Sequence, residues 1–346
     1  MAASAMTASG TCFDCGGPVA PTDSFCEACG AELAPVSVSD GRRALVLCET
    51  CPKSTVTADG YCESCGRRMR SGRDHEEIDL RVVAGVTHRG LRRLRNEDAM
   101  AIATADGGYG PAVVAVVCDG ISTTAHADQA SLAAVRAAAD VLLAAARTGG
   151  DALTASHAAV SAAVAAVARL AEPPEELPSS TFVSAMLQSG AVTVCWLGDS
   201  RAYWLAADPV SAAEQLTRDD SVAEEMVAAG LLSEADALTS AHSHEVTRWI
   251  GADVSDPAPH IVRFEPPGKG AVLLCSDGLW NYQPDPAKLA ELTLPAAIAD
   301  PLGAVRALVD FALQAGGRDN VTAVLAPFPE FCQPLPDGSA GQPDLN

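Results

Sequence analysis

The stretch Val113-Val114-Ala115-Val116-Val117-Cys118-Asp119-Gly120 most limits what this chain can become. An uninterrupted apolar run of strand length needs cover on both faces, so it predicts a strand inside a layered core. The run stops at a carboxylate and a glycine. A strand tip is rigid, which suits a metal-binding acid, and the glycine lets the backbone approach whatever the acid holds. The same grammar returns in Ala271-Val272-Leu273-Leu274-Cys275-Ser276-Asp277-Gly278. Val192-Thr193-Val194-Cys195-Trp196-Leu197-Gly198-Asp199 is a close variant. Recurrence of this ending predicts strand tips converging on a cation.

With 346 residues the chain has room for one large domain and a smaller one. The apolar fraction of 48% supports a sizeable core. A formal charge of −21 argues against nucleic acid or an anionic membrane as the main partner, because phosphate backbones need Lys and Arg. A phosphorylated substrate stays compatible with that charge, since bound cations reverse the local field. The first ten residues carry neither a basic cluster nor a sustained apolar core, so no secretory signal is read there. The most lipid-like stretch, residues 158–168, is too short to span a bilayer. A soluble, cytoplasmic protein is expected, and its thiols would stay reduced.

Of the 12 cysteines, eight precede residue 66. They are Cys12, Cys15, Cys26 and Cys29, then Cys48, Cys51, Cys62 and Cys65, each of the second set 36 positions after its counterpart. Two Cys-x-x-Cys pairs per block can turn four thiolates onto one ion, which predicts two structural Cys₄ zinc sites. Disulfides and redox pairs are the competing readings; the compartment disfavours the first and the regular spacing the second. Residues 1–34 and 35–67 are therefore read as a double zinc ribbon, with the metal supplying most of the folding energy. These modules are expected to dock a protein partner that the sequence does not identify. Residues 68–79 are charged and read as a linker.

Residues 80–326 read as one domain, and the proline-rich residues 327–346 as a disordered tail. Strands are expected at 80–86, 99–103, 113–119, 181–188, 191–197, 201–205, 271–275 and 321–325. Helices are expected at 131–147, 151–170, 221–229, 233–237 and 301–315. His242 and His244 fall in a polar segment and read as solvated loop histidines. Cys118, Cys195 and Cys275 lie inside apolar strands and read as core residues.

The acids that flank these strands are Glu97, Asp98, Asp119, Asp199, Asp277 and Asp319. No cysteine or histidine stands near them at ligand spacing. An oxygen-only set selects Mg²⁺ or Mn²⁺ over zinc, and it holds more acids than one ion needs, which predicts a two-metal site.

Motifs in order along residues 80–326 carry a family resemblance. They are Arg93-x-x-Asn96-Glu97-Asp98, Cys118-Asp119-Gly120, Ser180-Thr181, Leu197-Gly198-Asp199-Ser200-Arg201-Ala202-Tyr203, Leu216-Thr217-Arg218-Asp219-Asp220-Ser221, Arg248-x-x-Gly251, Cys275-Ser276-Asp277-Gly278-Leu279-Trp280 and Arg318-Asp319-Asn320-Val321-Thr322. Together they resemble the metal-dependent protein phosphatases of type 2C, the PPM family, in its bacterial form. The resemblance implies an α+β fold, a four-layer α-β-β-α sandwich of two antiparallel sheets. It implies hydrolysis of phosphoserine and phosphothreonine in proteins, opposing a cognate serine/threonine kinase. By position Asp119 would bridge two metals and the Gly120 carbonyl would face one of them. Asp277 and Asp319 would complete the shell of the second ion, Glu97 or Asp98 would contribute directly or through water, and Asp199 would serve a third, weaker ion. Arg93 matches the phosphate-binding arginine. In-line attack by an ion-activated water would then cleave the ester with no covalent enzyme intermediate. Ile121 stands where animal-type members place a histidine, and Ser122-Thr123-Thr124 departs from the usual bacterial methionine and glycines. Leaving-group protonation is thus unassigned, and His126 reads as a helix-start residue. Residues 221–244 match the family's variable flap. The competing class is a phosphatase-like scaffold that has lost catalysis, which would be expected to break the acid set; here the set is intact.

Overall fold

The computed structural model describes residues 72–328 apart from 106–109, 172–176, 208–211, 238–239, 241 and 255–256. Before residue 72 it describes only 10–11, 18–19, 28 and 37–38. The eight amino-terminal cysteines expected to bind zinc, and the tail beyond 328, lie outside the described residues.

In chain order the larger elements are β1 (His75–Asp79), β2 (Ala84–His88), β3 (Asp98–Ala105), β4 (Ala112–Asp119), α1 (Ala127–Thr148), α2 (Ala152–Ala168), β5 (Phe182–Gln188), β6 (Ala191–Leu197), β7 (Arg201–Ala206), α3 (Val222–Ala228), β8 (His260–Phe264), β9 (Gly270–Cys275), α4 (Pro286–Ala297), α5 (Pro301–Gln314) and β10 (Val321–Phe328). One sheet runs β8-β6-β5-β4-β3, with the two-residue strand Ser37–Val38 beside β3. The other runs β7-β9-β10-β2-β1, with Glu214–Gln215 beside β7. Every neighbouring pair within the two sheets is antiparallel.

Three apolar cores separate four layers, and side-chain alternation explains them. In β4, Val114, Val116 and Cys118 face α1 and α2, where they meet Ala134, Ala138, Leu142 and Val160. The intervening Val113, Ala115 and Val117 face the second sheet, meeting Trp204, Leu274 and Val324. In β9, Val272 and Leu274 join that middle core, while Leu273 and Cys275 pack under α4 and α5 with Leu289 and Leu308. A strand buried on both sides must be apolar at every position, which is why β4 and β9 do not alternate. The four-layer expectation is thus met.

Alanine dominates α1 and α2, so the two helices approach each other and the sheet closely. Asp151 caps α2 by accepting from the Thr154 amide, and Asp300 caps α5 by accepting from Gly303. By length and composition alone α1 passes as a membrane span, whereas α2, which holds residues 158–168, is apolar but too short. Its apolar stripe is spent on the first core.

The sequence boundaries need four corrections. Residues 75–79, read as linker, form β1 paired with β2. Edge strands carry charge on their open face, and here Glu77 pairs with Arg306 of α5. Residues 80–83 form a turn, closed by Leu80 N–H to Val83 O at 3.0 Å, so β2 starts only at Ala84. The domain also runs past 326, because Pro327 and Phe328 pair with Ala271 and Gly270 and Phe328 meets Trp204 edge-on. Finally, β8 and α4 were not read. Pro295 breaks the helical pattern of α4, yet it sits in the last turn, where few hydrogen bonds are lost.

Leu142 is fully buried between α1 and the first sheet. Leu142→Ala is expected to lower unfolding stability by about 2–5 kcal/mol in chemical denaturation. The same change at Leu153, which is 42% exposed, is expected to cost less than about 1 kcal/mol.

Candidate active site

The sheets bring the motifs to one end of the sandwich. Asp119 ends β4, Asp98 opens β3 directly opposite it, Asp199 follows β6, Asp277 follows β9 and Asp319 precedes β10. Arg93, Asp119, Gly120, Asp199, Asp277 and Asp319 line one cleft of ≈ 1200 Å³. Glu97 reaches the same region through Ser122, whose hydroxyl donates to Glu97 Oε2 at 2.5 Å.

Backbone and hydroxyl contacts fix the tip of β4. The Asp119 amide donates to Thr181 Oγ1 at 3.0 Å, and Ser180 Oγ donates to the Asp119 carbonyl at 2.8 Å. Gly120 N–H donates to Glu97 O at 3.1 Å. A Cβ on Gly120 would collide with the Ala127 and Glu97 carbonyls, so glycine is required by close approach here.

Asn320 pins the loop that carries Arg93 and Glu97. Its Nδ2 donates to Arg89 O and Arg95 O, each at 2.8 Å, and its Oδ1 accepts from Glu97 N–H at 2.7 Å. Arg93 pairs with Asp319 Oδ2 and donates to Ser122 Oγ at 3.1 Å. Trp280 Nε1 donates to Asp199 O at 2.9 Å, and the Arg201 guanidinium lies 3.7 Å over the Trp280 ring. Arg201 in turn holds Asp219 through a forked pair.

Asp98 differs from the other acids. It is 1% exposed, and its Oδ2 accepts from Ser276 Oγ and Thr322 Oγ1, both at 2.7 Å. It is not among the residues that line the cleft, and it lies opposite Asp119 in register.

Burial and mutual repulsion raise these carboxyls. Asp119 and Asp199 lie well above the usual carboxylate range, first through desolvation and then through neighbouring acids. Burial pushes Asp98 up to about 7, against the pull of its two hydroxyl partners. Burial and Asp319 push Asp277 up to about 6. Such a cluster is short of positive charge. Asp98 Oδ1 and Asp277 Oδ1 are buried with no hydrogen-bond partner. An oxygen-only donor set with orphaned oxygens fits hard divalent cations.

Sequence reasoning missed several residues of this site. Ser122, Asn320 and Trp280 stand inside or next to quoted motifs, but nothing in their spacing gives them a role. His244 is half exposed, as expected of a loop histidine, and its Nδ1 lies 3.6 Å from Asp277 Oδ2 while its ring stacks on Trp280. His242 remains a surface residue beside Glu245. His126 does open α1, in a left-handed conformation with no side-chain cap, and it is absent from the cleft lining.

The raised carboxyls give a signed pH dependence. Between the unfolded carboxylate value of about 4 and the folded values of about 6 and about 7, the folded protein binds more protons than the unfolded chain. Stability of the metal-free domain therefore falls as pH rises through this window. A lower melting temperature at pH 8 than at pH 5 is expected in a chelator, with the difference removed by saturating Mn²⁺. Tryptophan fluorescence isolates the domain, because all 4 tryptophans lie between residues 196 and 280.

Comparison with known proteins agrees with this geometry. The family model described as protein phosphatase 2C matches residues 84–311. The serine/threonine protein phosphatase PstP of Mycobacterium tuberculosis is 29% identical over 269 residues, covering 75% of this chain and 48% of that protein. The chain thus spans about half the length of the curated relatives it matches. A crystal structure of the M. tuberculosis phosphatase PstP/Ppp superposes with a TM-score of 0.58 at 28% identity, over 71% of this chain and 97% of that one. The PstP catalytic domain in complex with two manganese ions superposes with a TM-score of 0.56 at 27% identity, over 71% of this chain and 96% of that one. Two antiparallel sheets with outer helices, acids gathered at their strand tips and a family match over most of the folded residues lead to one assignment: the chain belongs to the protein phosphatase 2C family.

Proposed function

We propose that this protein hydrolyses phosphoserine and phosphothreonine in proteins, with Mg²⁺ or Mn²⁺ held by its strand-tip acids. The observation that carries the reading is the convergence of Asp119, Asp199, Asp277 and Asp319 on one cleft lined also by Arg93, with Glu97 reaching it through Ser122. A degenerate, scaffold-type relative would have no reason to retain so costly a cluster of buried carboxyls.

Asp119 would serve both ions and the Gly120 carbonyl one of them, Asp277 and Asp319 would hold one, and Glu97 would reach the other. Bound there, the ions supply charge neutralisation and an acidified water. The chain's own groups do the rest. Arg93 offers paired donors to the phosphate oxygens and stabilises their charge as the ester breaks. Ser122 and Asp319 hold that guanidinium at the cleft, so little reorganisation accompanies substrate binding. Asn320 sets the height of the Arg93 loop above the acids. Asp98, clamped by Ser276 and Thr322, supports the tip of β4.

Residues 1–34 and 35–67 would each fold around one structural zinc, through Cys12, Cys15, Cys26, Cys29 and Cys48, Cys51, Cys62, Cys65, and would dock a protein partner. The enzyme would work in the cytoplasm against a serine/threonine kinase. The spacing of the cysteines supports the zinc sites.

Mn²⁺-dependent hydrolysis of a phosphothreonine peptide tests the main reading. Asp119→Asn is expected to abolish turnover. Arg93→Ala is expected to lower kcat/KM by roughly 100- to 1000-fold. Equal rates in wild type and Asp119→Asn, or indifference to Mn²⁺, would sink it. For the ribbons, elemental analysis of protein purified under reducing conditions is expected to give about two zinc ions per chain; a value near zero rejects them.

A further inference from the structure

Arg93 rides on the loop between β2 and β3, and its side chain is 39% exposed, so packing alone does not place it. Asn320 holds this loop through the carbonyls of Arg89 and Arg95. A second grip comes from Arg73 and Asp74, just before β1 in the stretch read as linker.

The Asp74 side chain is 9% exposed and forms an ion pair with Arg89 Nε at 3.4 Å, while the Asp74 carbonyl accepts from Arg89 N–H at 2.9 Å. Arg89 Nη1 in turn donates to the Arg93 carbonyl. The Arg73 guanidinium, 14% exposed, bridges two elements. Its Nη1 donates to Asp128 O in the first turn of α1 at 2.8 Å, and its Nη2 to Asp98 O at the start of β3 at 3.0 Å. Asn96 Nδ2 donates back to Arg73 O at 2.9 Å. Residues 73 and 74 thus touch both ends of the loop and, through Arg89, its middle. A surface linker needs no such contacts. Charges so far out of water are costly unless paired, and a guanidinium fixes direction as well as charge.

We propose that Asp74 and Arg89 are positioning residues for Arg93, with Arg73 locking the same clasp to β3 and α1. The ion pair orients the Arg89 guanidinium, the guanidinium holds the Arg93 carbonyl, and the Arg93 side chain then meets the phosphate at a set place beside the acids. Recognition through paired donors tolerates little displacement, and a misplacement of about 1 Å can cost about 100-fold. The clasp follows Cys65 by eight positions, so the cysteine-bearing segment leads directly into the residues that place Arg93.

The inference rests on the phosphatase reading for the duty of Arg93. Hydrolysis of a phosphothreonine peptide by the full chain with Mn²⁺ tests it in a double-mutant cycle. Asp74→Ala is expected to lower kcat/KM by about 10- to 100-fold when Arg93 is present, and by less than about threefold in the Arg93→Ala background. Arg89→Lys keeps a charge beside Asp74 but loses the reach to the Arg93 carbonyl. It is expected to show the same pattern, and it replaces Asp74→Ala if the tryptophan-fluorescence melt shows that variant unfolded. Arg306→Ala, which breaks the Glu77 pair between β1 and α5 and leaves the clasp intact, is expected to keep the wild-type value. An unchanged kcat/KM in Asp74→Ala and Arg89→Lys overturns the proposal. So does an equal fold-loss in both backgrounds, which is the signature of a merely structural role. A wild type that hydrolyses no phosphopeptide defeats the phosphatase reading by itself. Titration calorimetry with inorganic phosphate and Mn²⁺ then reads the same cycle as binding: an Asp74 effect that needs Arg93 upholds this inference, and one that does not, or no phosphate binding at all, overturns it.

Discussion

The Asp98 carboxylate, at the first position of β3, takes hydroxyl hydrogen bonds from Ser276 and Thr322 of the opposite sheet. Thr322 Oγ1 also meets Thr87 Oγ1 at 2.7 Å, and Asn96 Nδ2 donates to Thr87 Oγ1 at 2.8 Å. This chain of polar groups crosses from one sheet to the other beneath the acids, where the middle core gives way to the cleft. Hydrogen bonds to a charged group contribute about 1.5–3 kcal/mol each, and geometry matters as much as energy. Asp119 lies opposite Asp98 in register, and Asp277 directly follows Ser276. Whatever fixes Asp98 against Ser276 therefore fixes the distance between acids of different sheets. The sandwich is the device that lets mutually repelling carboxyls stay together.

That constraint also explains which parts of the molecule were legible in the sequence. Strands β4, β6, β9 and β10 announce themselves because burial on both faces allows only apolar residues, and their terminal acids stand out against that background. The helices α2 and α5 open on aspartate caps, and α1 stops at Gly149. Edge elements carry no such signature. His75-Glu76-Glu77-Ile78-Asp79 is mostly charged because one side of β1 faces water and α5 supplies Arg306. The acids and Arg93 were legible as a set, because a metal and a phosphate ask for particular residue types at strand tips. Asn320 and Ser122 were not. Their importance lies in which carbonyls and carboxylates they reach, and that is a property of the folded loops. His244 was illegible for a related reason: 33 residues separate it from Asp277, and only the return of the chain over the cleft brings them together.

Gly278 shows how tightly the far side of the site is built. A Cβ there would run into the carbonyl of Asn320, the residue that holds the Arg93 loop. Small residues after Asp119 and Asp277 thus do the same work in the two sheets. Each lets a neighbouring backbone close in behind a carboxylate, which leaves that acid only the cleft to face. Trp280 completes the arrangement from below, with one face under Arg201 and its N–H on the Asp199 carbonyl.

Charge remains the apparent contradiction, since a chain of net charge −21 is assigned an anionic substrate. Distance resolves it. At physiological ionic strength fields between exposed charges fade over roughly 8 Å, so the average charge of the surface matters less than what borders the cleft. There Arg93 and Arg318 both line the cleft wall. Cations bound by the acids would convert the floor from repulsive to attractive as well. On the proposed reading the net charge would act against long-range capture of polyanions such as nucleic acid, while a single phosphorylated side chain would meet arginines first. Selection between these two classes of phosphate follows from where the charges sit, and the fold of two packed sheets is what sets their places.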